Sequence, residues 1–230
     1  MKRHIPNAIT CCNLLSGCIA IVMALYGSAY SLLFILLGAA FDFFDGMAAR
    51  QLGVQSPIGK ELDSLADIVT FGVAPATMLY SEMKVMTGED PHILHVILPF
   101  SSFLMVAFSA LRLAKFNIDE RQTASFLGLP TPANALFWAS LLVGLGGRAA
   151  HLHYLMYVFA AIVIISCWLM VSEIPMFALK FKHWGWRGNE VKYIFLITCI
   201  PILLFFRTTG IAIIIAWYVV LSVLTCKADK

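Results

Sequence analysis

Residues 41–67 read FDFFDGMAARQLGVQSPIGKELDSLAD. Four aspartates, Asp42, Asp45, Asp63 and Asp67, interrupt two runs that are otherwise apolar enough to lie in a membrane. At 100° per helical residue, Asp42, Asp45, Gly46 and Ala49 share one arc, while Phe41, Phe43, Phe44 and Met47 point elsewhere. On the second run Gly59, Asp63, Ala66, Asp67 and Thr70 share a face. A short turn, Gly53 to Ser56, joins the two, and Pro57 suits the first position of the next helix. The two helices are therefore expected to be antiparallel neighbours. At 1.5 Å per residue, Asp45 and Asp63 lie roughly 10 Å from one membrane edge, and Asp42 and Asp67 roughly 15 Å. Both pairs reach the same depth, so four carboxylates can face one point.

The surrounding chain sets the medium. Of its 230 residues, 60% are hydrophobic and 13% charged, and the mean hydropathy is +0.86. A soluble domain is nearer half apolar and a quarter charged, and could not hide this much apolar surface. A soluble enzyme, a disordered chain and a nucleic-acid binder are thereby excluded. The continuous runs predict an all-α, polytopic membrane helix bundle rather than a barrel, whose strands would alternate. Eight spans are expected, near 8–27, 31–52, 57–80, 93–115, 131–146, 151–172, 191–206 and 209–226. With both termini cytoplasmic, thirteen of the sixteen Lys and Arg residues fall on the inner side, leaving Lys84, Arg148 and Arg207 outside. The segment 173–190, with Lys180, Lys182, His183, Trp184, Trp186 and Arg187, reads as an interfacial anchor. No cleavage site follows Met1-Lys2-Arg3, so the first helix is expected to be an anchor too. The six cysteines have no metal-ligand spacing and read as small buried hydrophobes. Residues 1–230 are read as a single domain.

Buried aspartates are costly. Each one at a helix centre costs about 2.5–3.5 kcal/mol, so four cost on the order of 10 kcal/mol as an upper figure. Four converging carboxylates cannot all stay ionised without a cation between them. Oxygen-only ligands suit a hard divalent ion such as Mg²⁺, Mn²⁺ or Ca²⁺, and a pair of ions suits phosphoryl transfer. Arg50, near the cluster on the same helix, suggests an anionic ligand, most naturally phosphate. Gly46 and Gly59 let a ligand approach the backbone. An Asp-x-x-Asp alone also fits a proton relay or a sodium site in a transporter. A cation path, however, gains nothing from an arginine.

The full pattern, D-x2-D-G-x2-A-R-x8-G-x3-D-x3-D from Asp42 to Asp67, resembles the signature of the CDP-alcohol phosphotransferases, with no position missing. The resemblance implies a membrane enzyme that transfers the phosphoryl-bearing part of a CDP-linked substrate to an alcohol and releases CMP. It implies that Asp42, Asp45, Asp63 and Asp67 bind Mg²⁺ or Mn²⁺, two ions in all. Asp67 would also be the general base, and Gly46, Arg50 and Ser56 would contact the CDP moiety. A homodimer is implied as well. Further segments are similar to the membrane-integral phosphatidylserine synthases within this family. They are Ile5-Pro6-Asn7-Ala8-Ile9-Thr10 with Asn13, Asp63 to Asp67 running into Phe71-Gly72-Val73-Ala74-Pro75, Arg112 to Asn117, and Phe126 to Pro132. This likeness covers roughly residues 5–135. It implies CDP-diacylglycerol and L-serine as substrates.

The remaining candidates come from position. Asn7, Thr10 and Asn13 fall on one face of the first helix, where they can contact the nucleotide or make capping and interhelical hydrogen bonds. Gly59 belongs with the CDP-lipid contacts. Arg112 and Lys115, at the cytoplasmic end of the fourth span, are candidates for the serine carboxylate, with Asn117 beside them. Both cations also fit ordinary positive-inside flanking charges. Attack by the serine hydroxyl on the phosphorus is expected to be direct, since the cluster holds no other activated nucleophile. Glycerol 3-phosphate is the alternative acceptor, but a phosphate-bearing alcohol should need more basic residues near the cavity. The six histidines form no constellation that the sequence reveals.

Overall fold

A computed structural model of the chain describes residues 4–54, 56–88, 92–118, 126–148, 152–177, 185 and 189–226. The interfacial anchor read from Lys180, Lys182, His183, Trp184, Trp186 and Arg187 lies outside the described residues. So do Lys2, Arg3, Arg121, Lys227 and Lys230 of the charge count, and His151.

The described residues are nearly all helical. In order they form α1 (Ile5–Leu25), α2 (Tyr30–Leu52), α3 (Pro57–Asp67), a π-helical turn (Ile68–Val73) and α4 (Ala74–Val85). Next come α5 (Ile93–Ile97), a 3₁₀ segment (Leu98–Phe103), α6 (Leu104–Ile118), β1 (Phe126–Leu127), α7 (Thr131–Leu145), α8 (Tyr154–Val171), β2 (Pro175–Met176) and α9 (Glu190–Cys226). Among the described residues six helical stretches are long and apolar enough to cross a membrane, and α7 is a shorter apolar helix. The sequence predicts no strand. Among the described residues the one sheet is an antiparallel pair of two-residue strands, with Phe126 opposite Met176, too short to leave a periodic trace.

The helices are built for lipid. In α1 the buried stripe is Pro6, Thr10, Asn13, Ser16, Gly17, Ala20 and Ala24, small or polar throughout. The outward positions include Ile5, Leu15, Ile19, Val22 and Leu25, and also Cys11, Cys12 and Cys18, so these three cysteines are not the buried residues the sequence leads one to expect. A water-soluble helix would reverse this arrangement. Between membrane helices, small residues permit close approach and polar side chains hydrogen-bond across the interface. Gly17 and Gly38 show the approach directly. A Cβ on Gly17 would lie 2.8 Å from Thr70 Cα, and one on Gly38 2.4 Å from Thr70 Cγ2. Helices α1, α2 and the π turn therefore cross at Thr70. Away from the site, Phe71, Leu79, Met83, Met105, Trp138, Met156 and Val163 fill the interior.

Besides the 3₁₀ segment, two local features of the described residues depart from regular helix. The π turn directly follows Asp67, and the Ala74 N–H reaches back to Val69 O across it. Pro75 explains it, because proline has no N–H to return to Phe71 and its ring crowds that carbonyl. The second departure divides α9. Arg207 has φ 49° and ψ −123°, which is not helical. The chain reverses there. Trp217 Nε1 donates to Thr198 Oγ1 at 3.1 Å, whereas nineteen residues of straight helix would separate them by about 28 Å. A Cβ on Gly210 would likewise lie 2.9 Å from Ile202 O. Segments 190–206 and 208–226 thus form a helical hairpin, dividing where the sequence separates its last two spans.

Candidate active site

Gly53 closes α2 in the left-handed conformation, φ 63°, and its N–H returns to Ala49 O and Arg50 O. Ser56 then caps α3, its Oγ accepting from Gly59 N at 3.0 Å, and Pro57 occupies the first turn. This reversal turns the aspartate faces of α2 and α3 toward each other, with α1 rather than a direct α2–α3 packing contact holding the two helices. One carboxylate oxygen from each of Asp42, Asp63 and Asp67 lies within 4.8 Å of the others. Asp45 is outside that trio and 5% exposed. Its Oδ2 accepts from Thr10 Oγ1 at 2.6 Å. Asn13 Nδ2 donates to Asp67 Oδ1 at 3.2 Å. In turn the Asn13 carbonyl accepts from Thr70 Oγ1 at 3.0 Å, within the π turn.

A cavity of about 600 Å³ opens beside the carboxylates. Asn7, Thr10, Asp45, Gly46, Ser56, Gly59 and Asp63 line it, together with Lys60. Its size suits a nucleotide or a headgroup rather than a single ion. The Arg50 guanidinium folds over Gly46, with Nη1 3.5 Å from where a Gly46 Cβ would stand, but Arg50 itself does not line the cavity. The signature glycine at position 59 has a packing reason too. A Cβ there would lie 3.1 Å from Ser56 Oγ and 3.2 Å from Asn7 Oδ1.

The donor set fits a divalent cation. It is oxygen only and converges from two helices, and Asp63 Oδ1 is buried without a hydrogen-bond partner. A buried carboxylate oxygen with nothing to accept from is costly, and a hard cation supplies what it lacks.

The three serine-contact candidates separate. Arg112 is 8% exposed, donates from Nη1 to Thr131 Oγ1 at 3.0 Å, and leaves its Nε unpartnered. Its charge is within electrostatic reach of Asp67. Lys115 is exposed. Asn117 is engaged with α3, its Nδ2 donating to Ser64 Oγ at 2.9 Å and its carbonyl accepting from Lys60 Nζ at 2.8 Å. None of the three lines the 600 Å³ cavity.

Three residues escape the sequence reading. Lys60 follows Gly59 and precedes Asp63 by one turn, a spacing that places a cation at the cavity. Ser64 and Thr131 carry no comparable signal, because their partners come from α6. The histidines need correction. His95 packs against both His92 and His153 with ring centroids 6.3 Å apart, and His95 Nε2 meets Tyr157 Oη at 2.9 Å. These rings come from α5 and the start of α8 with their flanking residues, and none lines the aspartate cavity.

Residues 3–172 match the family model of the CDP-alcohol phosphatidyltransferases. The chain belongs to this family. Among its relatives, the CDP-diacylglycerol–serine O-phosphatidyltransferase of Bacillus subtilis is 43% identical over 135 residues, covering 56% of this chain and 70% of that protein. The protein of the same name from Methanocaldococcus jannaschii is 37% identical, covering 61% and 59%. An archaetidylserine synthase of Methanothermobacter thermautotrophicus is 33% identical, covering 57% and 54%. The chain thus spans 70% of the first relative and little more than half of the other two. In this phosphatidyltransferase the family signature occupies α2 and α3, with the cavity against it.

Proposed function

We propose that this phosphatidyltransferase moves the phosphatidyl group of CDP-diacylglycerol to the hydroxyl of L-serine, giving phosphatidylserine and CMP. The observation that carries this reading is the cavity bounded by Asp45 and Asp63 and lined by signature residues. The printed names of the relatives add the acceptor. They share serine even where the lipid is archaeal.

Within this reading Asp42, Asp45, Asp63 and Asp67 hold two divalent ions, Mg²⁺ or Mn²⁺. When bound, these supply charge neutralisation at the pyrophosphate and at departing CMP. Asn7, Gly46, Arg50, Ser56 and Gly59 receive the CDP group, with Arg50 matched to a phosphate. Lys60 adds a second cation to the same wall. Asp67 takes the proton of the serine hydroxyl as it attacks phosphorus, because that hydroxyl is a poor nucleophile at neutral pH. Arg112, buried and with a free N–H, receives the serine carboxylate. The acyl chains stay in the bilayer throughout.

The topology completes the reading. We read the six long stretches, α7 and the reversal at Arg207 as eight crossings, with both termini proposed to lie in the cytoplasm. The charge asymmetry supports this orientation, and it opens the cavity to the cytoplasm across the cell membrane. Residues 1–230 act as one domain, and two copies pair as the resemblance implies.

The test is an acceptor panel on purified protein with CDP-diacylglycerol, scoring CMP release with metal removed and restored. Serine should release CMP only with Mg²⁺ or Mn²⁺ present. Release with glycerol 3-phosphate and none with serine would move the chain to another branch of the family. Ion flux through vesicles without any CMP release would make it a transporter.

A further inference from the structure

We infer that Thr10 and Asn13 are positioning residues which fix two of the four carboxylates, rather than contacts to the CDP group. Both are buried, at 3% and 0% exposure. Thr10 has one hydroxyl proton and two oxygens within reach, Asp45 Oδ2 at 2.6 Å and Pro6 O at 3.0 Å. The shorter contact, to a carboxylate, takes the proton. Asn13 stands where three elements cross. Its Nδ2 donates to Asp67 Oδ1, its backbone carbonyl accepts from Thr70 Oγ1, and its Oδ1, buried without a hydrogen-bond partner, faces Gly38, where a Cβ would lie 2.9 Å away. The amide N–H is thus committed to Asp67, while the backbone bond fixes the residue between α1 and the π turn. It holds Asp67 by one oxygen and leaves the other for chemistry. Thr10 also lines the cavity, but its hydroxyl proton is committed to Asp45; Asn7, one turn earlier, lines it with no such bond among the described residues and keeps the ligand-facing role. Helix α1 therefore contributes orientation, not ligands, to the acidic centre. Outer partners of this kind typically carry 10–100-fold of metal affinity or activity.

The inference rests on the proposed reading of the acidic site, and the test separates the two. Thr10→Val keeps the shape and removes the proton, and Thr10→Ser restores it. Three quantities are read in detergent: kcat, KM for CDP-diacylglycerol, and Mn²⁺ affinity by electron paramagnetic resonance without substrate. Thr10→Val should lose about 10-fold in kcat and in Mn²⁺ affinity, with KM within about twofold. Thr10→Ser should recover most of both. Asn13→Leu should behave like Thr10→Val. If it does not fold, the Thr10 pair decides alone. A raised KM with unchanged kcat and Mn²⁺ affinity would make these residues nucleotide contacts and overturn the inference, as would a Thr10→Val protein indistinguishable from the parent. Should the parent fail to use CDP-diacylglycerol and serine while Thr10→Val still weakens Mn²⁺, only the substrate assignment falls.

Discussion

Asp67 shows what a single residue in this chain must satisfy. It is 7% exposed, sits at the last position of α3, accepts from Asn13, and shares its space with Asp42 and Asp63. Asp67→Asn keeps that shape and can still accept the Asn13 hydrogen bond. Turnover should therefore fall by about 10²–10⁴-fold, the range for loss of a general base, while the unfolding temperature in detergent holds or rises. Unchanged CMP release would remove Asp67 from that role. The aspartates were legible in the sequence because a charge inside an apolar run is costly and helical spacing shows which side it takes. Thr10 and Asn13 were legible as one face, but not in what they touch. A hydroxyl or amide on a membrane helix fits a cap, a ligand contact or a neighbouring carboxylate equally well until the neighbour is seen. Arg112 was visible as a cation, but its partner Thr131 lies nineteen residues further on, a separation no spacing rule spans.

At the scale of the element, the decisive event is the crossing of α1 and α2 with the π turn. Two glycines allow it, and their substitutions should differ. Gly38→Ala brings a methyl to 2.4 Å from Thr70 Cγ2 and 2.9 Å from Asn13 Oδ1. It should destabilise by about 1–3 kcal/mol. Thr70→Ser in the same chain removes Cγ2 and should recover part of the loss. Gly17→Ala meets Thr70 Cα at 2.8 Å, which is backbone, so Thr70→Ser should not rescue it. Unfolding of the four variants in detergent would show this contrast, and equal rescue of both glycines would contradict it. The helices themselves were legible because continuous apolar runs leave little else to form in a bilayer. The π turn was not, although Pro75 was there to be read. A proline within a helix announces a lost hydrogen bond but not which irregularity absorbs it. The reversal at Arg207 was legible only through length, since 37 apolar-rich residues exceed one bilayer crossing. No glycine marks its positive φ.

For the whole molecule, the arrangement of parts around the carboxylates matters more than any one contact. The 600 Å³ cavity reaches Asp45 and Asp63 from the turn between α2 and α3 and from the start of α1. Arg112 is anchored instead to α7 through Thr131 and does not line that cavity. We read the carboxylates as a partition, with the CDP group proposed on one side and the serine on the other. Such a partition dictates stereochemistry. A hydroxyl arriving opposite the departing CMP turns the phosphorus tetrahedron inside out once per turnover. A CDP-lipid made chiral with sulfur at the transferred phosphorus should give a product of reversed handedness, whereas retained handedness would mean two displacements and a nucleophile hidden within the partition itself.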